Sequence, residues 1–87
     1  MIDFDTTSKE IINILEEVCS MLDMQHEIDI HFIPGNCIMS QVLISMTPML
    51  EQKLNIVIPE KEYIFFDSKT KKQLTIGEAT NKLLKII

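Results

Sequence analysis

The sequence contains no arginine, and its 87 residues carry a net charge of −5. Arginine's planar guanidinium is the usual side chain for reading phosphates and guanine edges, so its absence argues against nucleic acid as a partner. Charge is unevenly spread: residues 1–31 hold eight acids and one lysine, net −7, whereas residues 32–87 hold seven lysines and five acids, net +2. An acidic protein favours partners with basic surfaces, because opposite charges speed their encounter.

Glycine and proline are scarce, at two and three residues. That scarcity argues against a turn-rich sandwich or barrel and favours helices. Because Gly35 and Gly77 are the only glycines, no glycine-rich loop can cradle a phosphate. The two cysteines, Cys19 and Cys37, are expected to be free thiols in a cytoplasmic chain.

Long apolar runs and targeting signals are also missing. No stretch approaches the length of a membrane span, so no membrane partner is expected. The chain begins MIDFDTT, acidic where a secretory signal is basic, and we expect a cytoplasmic location.

The sequence also contains no recognised zinc-site or catalytic motif. His26 and His31 do not have the spacing of zinc ligands, and no nucleophile elbow or catalytic triad can be recognised. We therefore expect one small domain over residues 1–87 that is not an enzyme.

An amphipathic helix is predicted near the start of the chain, over residues 6–22. Thr7 and Glu10 have the spacing of a capping box, which would satisfy two free amides at the helix start. Apolar residues recur there at three- and four-residue steps, as on the buried face of a helix. The predicted core positions of this helix are Ile11, Ile14, Leu15, Val18, Cys19 and Leu22.

Extended structure is predicted in two places. Residues 28–32 alternate apolar and polar side chains, which indicates a short strand or a loop held by apolar anchors, and Pro34-Gly35-Asn36 ends it as a turn. A lysine-rich loop interrupts the apolar residues within 62–76, which predicts a short β-hairpin there.

The last helix is predicted over residues 76–87. Thr75 and Glu78 form a second capping box at its start. Its predicted apolar face consists of Ile76, Ala79, Leu83, Leu84 and Ile87. The methionines at 21, 24, 39, 46 and 49 stand at apolar positions, where their flexible side chains would fill an adaptable core.

The stretch IMSQVLISMTP, residues 38–48, fits two structures. With a period of 3.6 it is a helix entered at Ser40, and with a period of 2 it is a strand over 41–46. Pro48 would cost a continuous helix roughly 3 kcal/mol, but Thr47-Pro48 is also a good helix start. The helical interpretation therefore takes the form of a kinked helix over about 40–54, or of a short helix with a restart at 47.

Three features then follow in order: an apolar helix ending in LEQKLNIVIPE, a variable segment, and TIGEATNKLL. This order resembles the second half of an acyl carrier protein, the four-helix phosphopantetheine carrier, over roughly residues 40–87. The matching positions are Leu50, Glu51, Leu54, Ile58, Pro59, Thr75, Ile76, Gly77, Glu78 and Ala79. The resemblance implies a mostly α fold, a small four-helix bundle, here with a short β-hairpin near 62–76; an α+β fold is the alternative.

In that family a serine at the start of the second helix carries 4'-phosphopantetheine, and the equivalent position here is Ser40. The resemblance implies a carrier that holds an acyl or aminoacyl group as a thioester, in fatty acid or polyketide biosynthesis. It also implies a phosphopantetheinyl transferase and biosynthetic enzymes with basic docking surfaces as partners of a monomeric carrier. The family's Asp-Ser-Leu motif is replaced by Met39-Ser40-Gln41. A carrier-like interaction module without the prosthetic group is therefore the alternative function.

Overall fold

The structure, a computed structural model, describes residues 3–23, 27–59 and 63–86. Its first and longest helix, α1, spans Phe4–Met21. Asp3 is its N-cap, and the Asp3 carboxylate accepts a hydrogen bond from the Thr6 backbone N–H at 2.7 Å. The predicted capping box of Thr7 and Glu10 is therefore wrong. The aspartate caps the helix one turn earlier, and Thr7 lies fully buried in the first turn.

The predicted core face of α1 is confirmed except at its end. The buried apolar residues of the helix are Ile11, Ile14, Leu15, Val18 and Cys19. Leu22 follows the helix as its C-cap and is exposed, contrary to the prediction. Met21 and Met39 are also exposed rather than part of the core, while Met46 is fully buried. Met24 lies outside the described residues.

Residues 27–33 form a loop rather than a strand. The loop stabilises the start of the last helix, α5, which spans Ile76–Ile86. The carbonyl of Phe32 accepts a hydrogen bond from the Ile76 N–H, and the carbonyl of Ile30 accepts one from Gly77, both at 2.9 Å. Two of the otherwise unpaired amides at the beginning of α5 are thereby satisfied.

A one-turn helix, α2, spans Pro34–Cys37, where the sequence predicted only a turn. Proline at its first position fits, because its fixed φ suits a helix start and its missing N–H has no partner to lose. Ile38 follows as a buried, extended residue that ends this turn of helix.

Most of the stretch over residues 38–48, which fits either a helix or a strand by sequence, is helical. Helix α3 spans Ser40–Ser45 and helix α4 spans Thr47–Leu54, with Met46 between them in the right-handed helical region. Of the two predicted helical forms, the short helix with a restart at residue 47 is confirmed, and the strand over 41–46 is excluded. Pro48 is tolerated because it lies in the first turn of α4, where its missing N–H breaks no helical hydrogen bond. Asn55 ends α4 in the left-handed conformation, as is common at helix ends.

The predicted hairpin is present and short. Strand β1, Phe66–Asp67, pairs antiparallel with β2, Lys72–Gln73, and Phe66 lies opposite Gln73. Residues 60–62, part of the segment between α4 and the hairpin, lie outside the described residues. The fold is thus mostly helical with a small two-stranded antiparallel sheet, as predicted.

Helix α1 packs against both α4 and α5, so the core lies between these three helices. From α3, Leu43 joins it, and from the hairpin region Phe65 does. The capping box predicted at the start of α5 is confirmed. The Thr75 N–H donates to the Glu78 carboxylate at 2.9 Å, and the Glu78 N–H donates to the Thr75 hydroxyl at 3.1 Å. Ile76, Ala79 and Leu83 are fully buried, while Ile87 lies outside the described residues.

Candidate functional site

Ser40, the predicted attachment residue, is the first residue of α3 and is exposed. The extended backbone of Met39 leads into the helix, and the Met39 carbonyl accepts from the N–H groups of Val42 and Leu43 at 3.0 and 3.2 Å. These two hydrogen bonds start the helix without a side-chain cap. The serine hydroxyl is therefore presented at a helix end rather than used to close it.

One helical turn beyond Ser40 an apolar groove begins. Ile44 is four residues further along α3, on the same side of the helix and about 6 Å along the axis at 1.5 Å per residue. The groove has a volume of about 440 Å³ and lies between α3–α4 and the segment that follows α4. Its lining residues are Ile44, Thr47, Pro48, Glu51, Ile58, Pro59 and Tyr63.

Glu51 fixes one wall of this groove. Its carboxylate accepts a hydrogen bond from the backbone N–H of Ile58 at 2.9 Å. Ile58 is buried in the core, while its neighbour Pro59 is exposed at the groove. The matched Leu-Glu and Ile-Pro pairs of the sequence thus meet in space, because the acid of the first holds the backbone of the second.

The neighbours of Ser40 along the chain are uncharged. The sequence has no aspartate, glutamate, lysine or arginine from residue 30 to residue 50. Met39 and Ile44 are exposed over 68% and 55% of their surfaces. In the segment that follows α4, Val57 is 80% exposed. Exposed acidic residues lie instead on α1, as at Glu16 and Glu17, and in the loop after it, as at Asp29.

The one Asp-Ser pair of the sequence, Asp67-Ser68, lies where strand β1 leads into the turn of the hairpin. The Asp67 carboxylate accepts from the Thr70 hydroxyl at 2.9 Å and from the Lys69 N–H at 3.1 Å, and these donors lower the pKa of Asp67. The aspartate therefore stabilises the turn. The apolar groove described above does not include Ser68.

Lys82 connects α5 to the far wall of the groove. Its ammonium donates to the carbonyl of Tyr63 at 2.8 Å and to that of Phe66 at 2.9 Å. Tyr63 lines the groove, and its ring meets the ring of Phe65 edge-on with centroids 6.0 Å apart. This connection could not be predicted from the sequence, because the partners are sixteen or more positions apart in the chain.

Neither the cysteines nor the histidines build a second site among the described residues. Burial raises the pKa of the Cys19 thiol, which disfavours its reactive thiolate, and Cys37 is exposed at the end of α2. His31 is exposed, and His26 lies outside the described residues. Within residues 3–23, 27–59 and 63–86, no cluster of three or more histidine, cysteine, aspartate or glutamate residues could hold a metal ion.

No protein-family model matches the chain, and no curated protein or solved structure is detectably similar to it. In the part of the chain that the structure describes, no helix has both the length and the apolar character required to cross a bilayer.

Proposed function

We propose that this protein is a carrier that bears a 4'-phosphopantetheine arm on Ser40 and presents a thioester-bound acyl or aminoacyl group to partner enzymes. The observation that carries the proposal is the relation between Ser40 and the groove. An exposed hydroxyl stands at the start of α3, and an apolar groove opens one turn further along the same side of the helix.

The order of elements supports the same proposal. The resemblance to acyl carrier proteins lies in the order of four elements along the chain: the serine, the leucine-rich helix end, the Ile-Pro pair and the final helix. Here the Ile-Pro pair is joined to α4, because the Ile58 N–H donates a hydrogen bond to the Glu51 carboxylate. Helix α5 begins with the expected capping box at Thr75 and Glu78.

The groove suits the cargo of such an arm. Its volume of about 440 Å³ is within the range of roughly 300–1,000 Å³ typical of small-ligand pockets. A flexible arm from Ser40 could lay an apolar acyl chain against Ile44 and Pro48, and so shield part of that chain from water. The protein itself contributes presentation and protection, and the partner enzymes carry out the chemistry.

Intact-protein mass tests the proposal. The chain is co-expressed with several broad-specificity phosphopantetheinyl transferases, and we expect a species heavier by one phosphopantetheine group. Ser40→Ala should abolish that species. Ser45→Ala is the matched control, because Ser45 is also an exposed serine of α3, and it should still be modified. An unmodified wild-type protein with every transferase would refute the carrier.

A second candidate is a carrier-like interaction module without the arm. The observation that favours it is the pair of neighbours of Ser40: Met39 and Gln41 replace the aspartate and leucine of the family motif. Such a module should bind a partner protein equally well as wild type and as Ser40→Ala. If the single substitution Ser40→Ala abolished binding, the result would favour the carrier over the interaction module.

A further inference from the structure

We propose that the enzyme that modifies Ser40 docks through an uncharged, apolar patch of its own, and not through the basic surface that the overall acidity of this protein suggests. This inference rests on the proposed function and specifies the partner chemistry of the same site. It concerns the docking face, defined here as the exposed residues of α3 and α4 apart from Lys53: Ser40, Gln41, Ile44, Ser45, Pro48 and Gln52.

Geometry requires that the enzyme cover this face. To reach the hydroxyl of Ser40, a catalytic centre must approach the exposed start of α3. Ile44 lies about 6 Å further along the helix axis on the same side and is 55% exposed. An enzyme large enough to enclose a reacting serine therefore touches Ile44 as well.

The docking face offers no charge for a basic partner to bind. All six of its side chains are uncharged. Glu51 is the one acidic residue of α3 and α4, and its carboxylate is half-buried and accepts the Ile58 N–H at 2.9 Å. Lys53, at the end of α4, would repel a basic surface. Electrostatic complementarity therefore favours a neutral patch on the partner, with apolar contact to Ile44 and Pro48.

The size of the apolar surface indicates a transient enzyme contact rather than a second copy of the chain. A stable interface buries about 800 Å² on each partner, with a hydrophobic centre. The docking face has just one large exposed aliphatic side chain, Ile44, beside the smaller Pro48. That surface suits brief contacts with an enzyme, which a carrier that moves between enzymes needs.

The test measures how fast a phosphopantetheinyl transferase modifies the purified chain with coenzyme A. Ile44→Glu and Ile44→Lys are compared, since they introduce opposite charges at one exposed position. Both should lower kcat/KM at least about tenfold, the loss expected for a central contact residue. Glu17→Lys, an exposed charge reversal on α1, is the control and should leave kcat/KM unchanged. Circular dichroism of each variant establishes that it is folded.

Salt dependence gives a second readout. For wild type, kcat/KM should change less than about twofold between about 50 and 500 mM NaCl, because apolar contacts are not screened by salt. Opposite effects of the two Ile44 variants, or a steep fall with salt, would overturn the apolar docking face while modification of Ser40 continues to support the carrier. No modification of the wild-type chain would overturn the carrier and, with it, this inference.

Discussion

The carboxylate of Glu51 accepts a hydrogen bond from the backbone N–H of Ile58 at 2.9 Å, and this contact joins α4 to the segment that follows it. Glu51→Ala would leave the half-buried N–H of Ile58 without its partner. We expect the free energy of unfolding to fall by about 1–2 kcal/mol, the usual range for a lost hydrogen bond to a charged group near the surface. Urea titration measures it.

Glu51→Gln is the matched control, because its side-chain carbonyl can still accept from Ile58. It should recover most of the stability lost in Glu51→Ala. Equal stability of wild type and Glu51→Ala would show that the contact does not hold the groove wall in place.

The elements at the two ends of the chain could be predicted from periodicity alone, because α1 and α5 each bury one continuous stripe. The start of α1 could not be predicted in this way, because both Asp3 and Thr7 are good N-cap residues. The packing of the first turn determines which of them caps the helix. Pro48 predicts either a kink or a restart at Thr47, because its effect on the helix backbone is local. One-turn helix α2 was missed, because Pro-Gly-Asn is equally typical of a turn.

In the candidate site too, some features could be predicted from local sequence and others could not. The position of Ser40 at a helix start follows from local pattern, and the structure bears it out. The groove does not follow from local pattern, because Tyr63 reaches it only through the hairpin, which Lys82 holds from α5. Such contacts depend on tertiary packing and cannot be predicted from residue spacing within one segment.

Two buried threonines should respond in opposite ways to replacement by valine. Thr7 and Thr80 are both fully buried. The Thr80 hydroxyl donates to the Ile76 carbonyl at 2.7 Å, whereas that of Thr7 has no hydrogen-bond partner among the described residues. Thr7→Val should raise the free energy of unfolding by up to about 1 kcal/mol, and Thr80→Val should lower it by about 0.5–1.5 kcal/mol.

Chemical denaturation of both variants measures the difference, and helix propensity is not a confounder because threonine and valine are nearly equal. A loss of stability in Thr7→Val as large as in Thr80→Val would mean that the Thr7 hydroxyl is satisfied in solution.

Lys82 should be the lysine of α5 on which the hairpin depends. Lys82→Met keeps much of the aliphatic stem but removes both hydrogen bonds to the carbonyls of Tyr63 and Phe66. We expect a loss of about 1–3 kcal/mol in the free energy of unfolding, since these bonds come from a charged donor in a partly buried position. Hydrogen exchange should also become faster at Leu74, whose N–H donates to the Phe65 carbonyl.

Lys85→Met is the control for this variant. Lys85 is exposed in the last turn of the same helix, and its replacement should change stability by less than about 0.5 kcal/mol. Equal effects of the two substitutions would show that charge alone, and not the two hydrogen bonds, accounts for the role of Lys82.

Stability should fall in acid through the capping carboxylates. The Thr75 N–H holds the pKa of Glu78 below its ordinary value of 4.5, and the Thr6 N–H likewise lowers that of Asp3 below 3.8. A lowered pKa in the folded state means that the carboxylates stabilise the fold above those ordinary values. That contribution is lost as pH falls through the lowered pKa values.

Thermal unfolding between about pH 6 and pH 2.5 should therefore show a falling Tm below about pH 4.5. Glu78→Gln should show a shallower fall, because glutamine can still accept the Thr75 N–H and does not titrate in this range. An identical slope for wild type and Glu78→Gln would remove Glu78 from the acid response.

The central claim is that Ser40 carries a tether, and the protein purified from the cells that make it provides the most direct test. Tandem mass spectrometry of the peptide containing residues 40–53 should find a phosphopantetheine group on Ser40. A peptide recovered only in unmodified form, from cells in which other carrier proteins are fully modified, would contradict it.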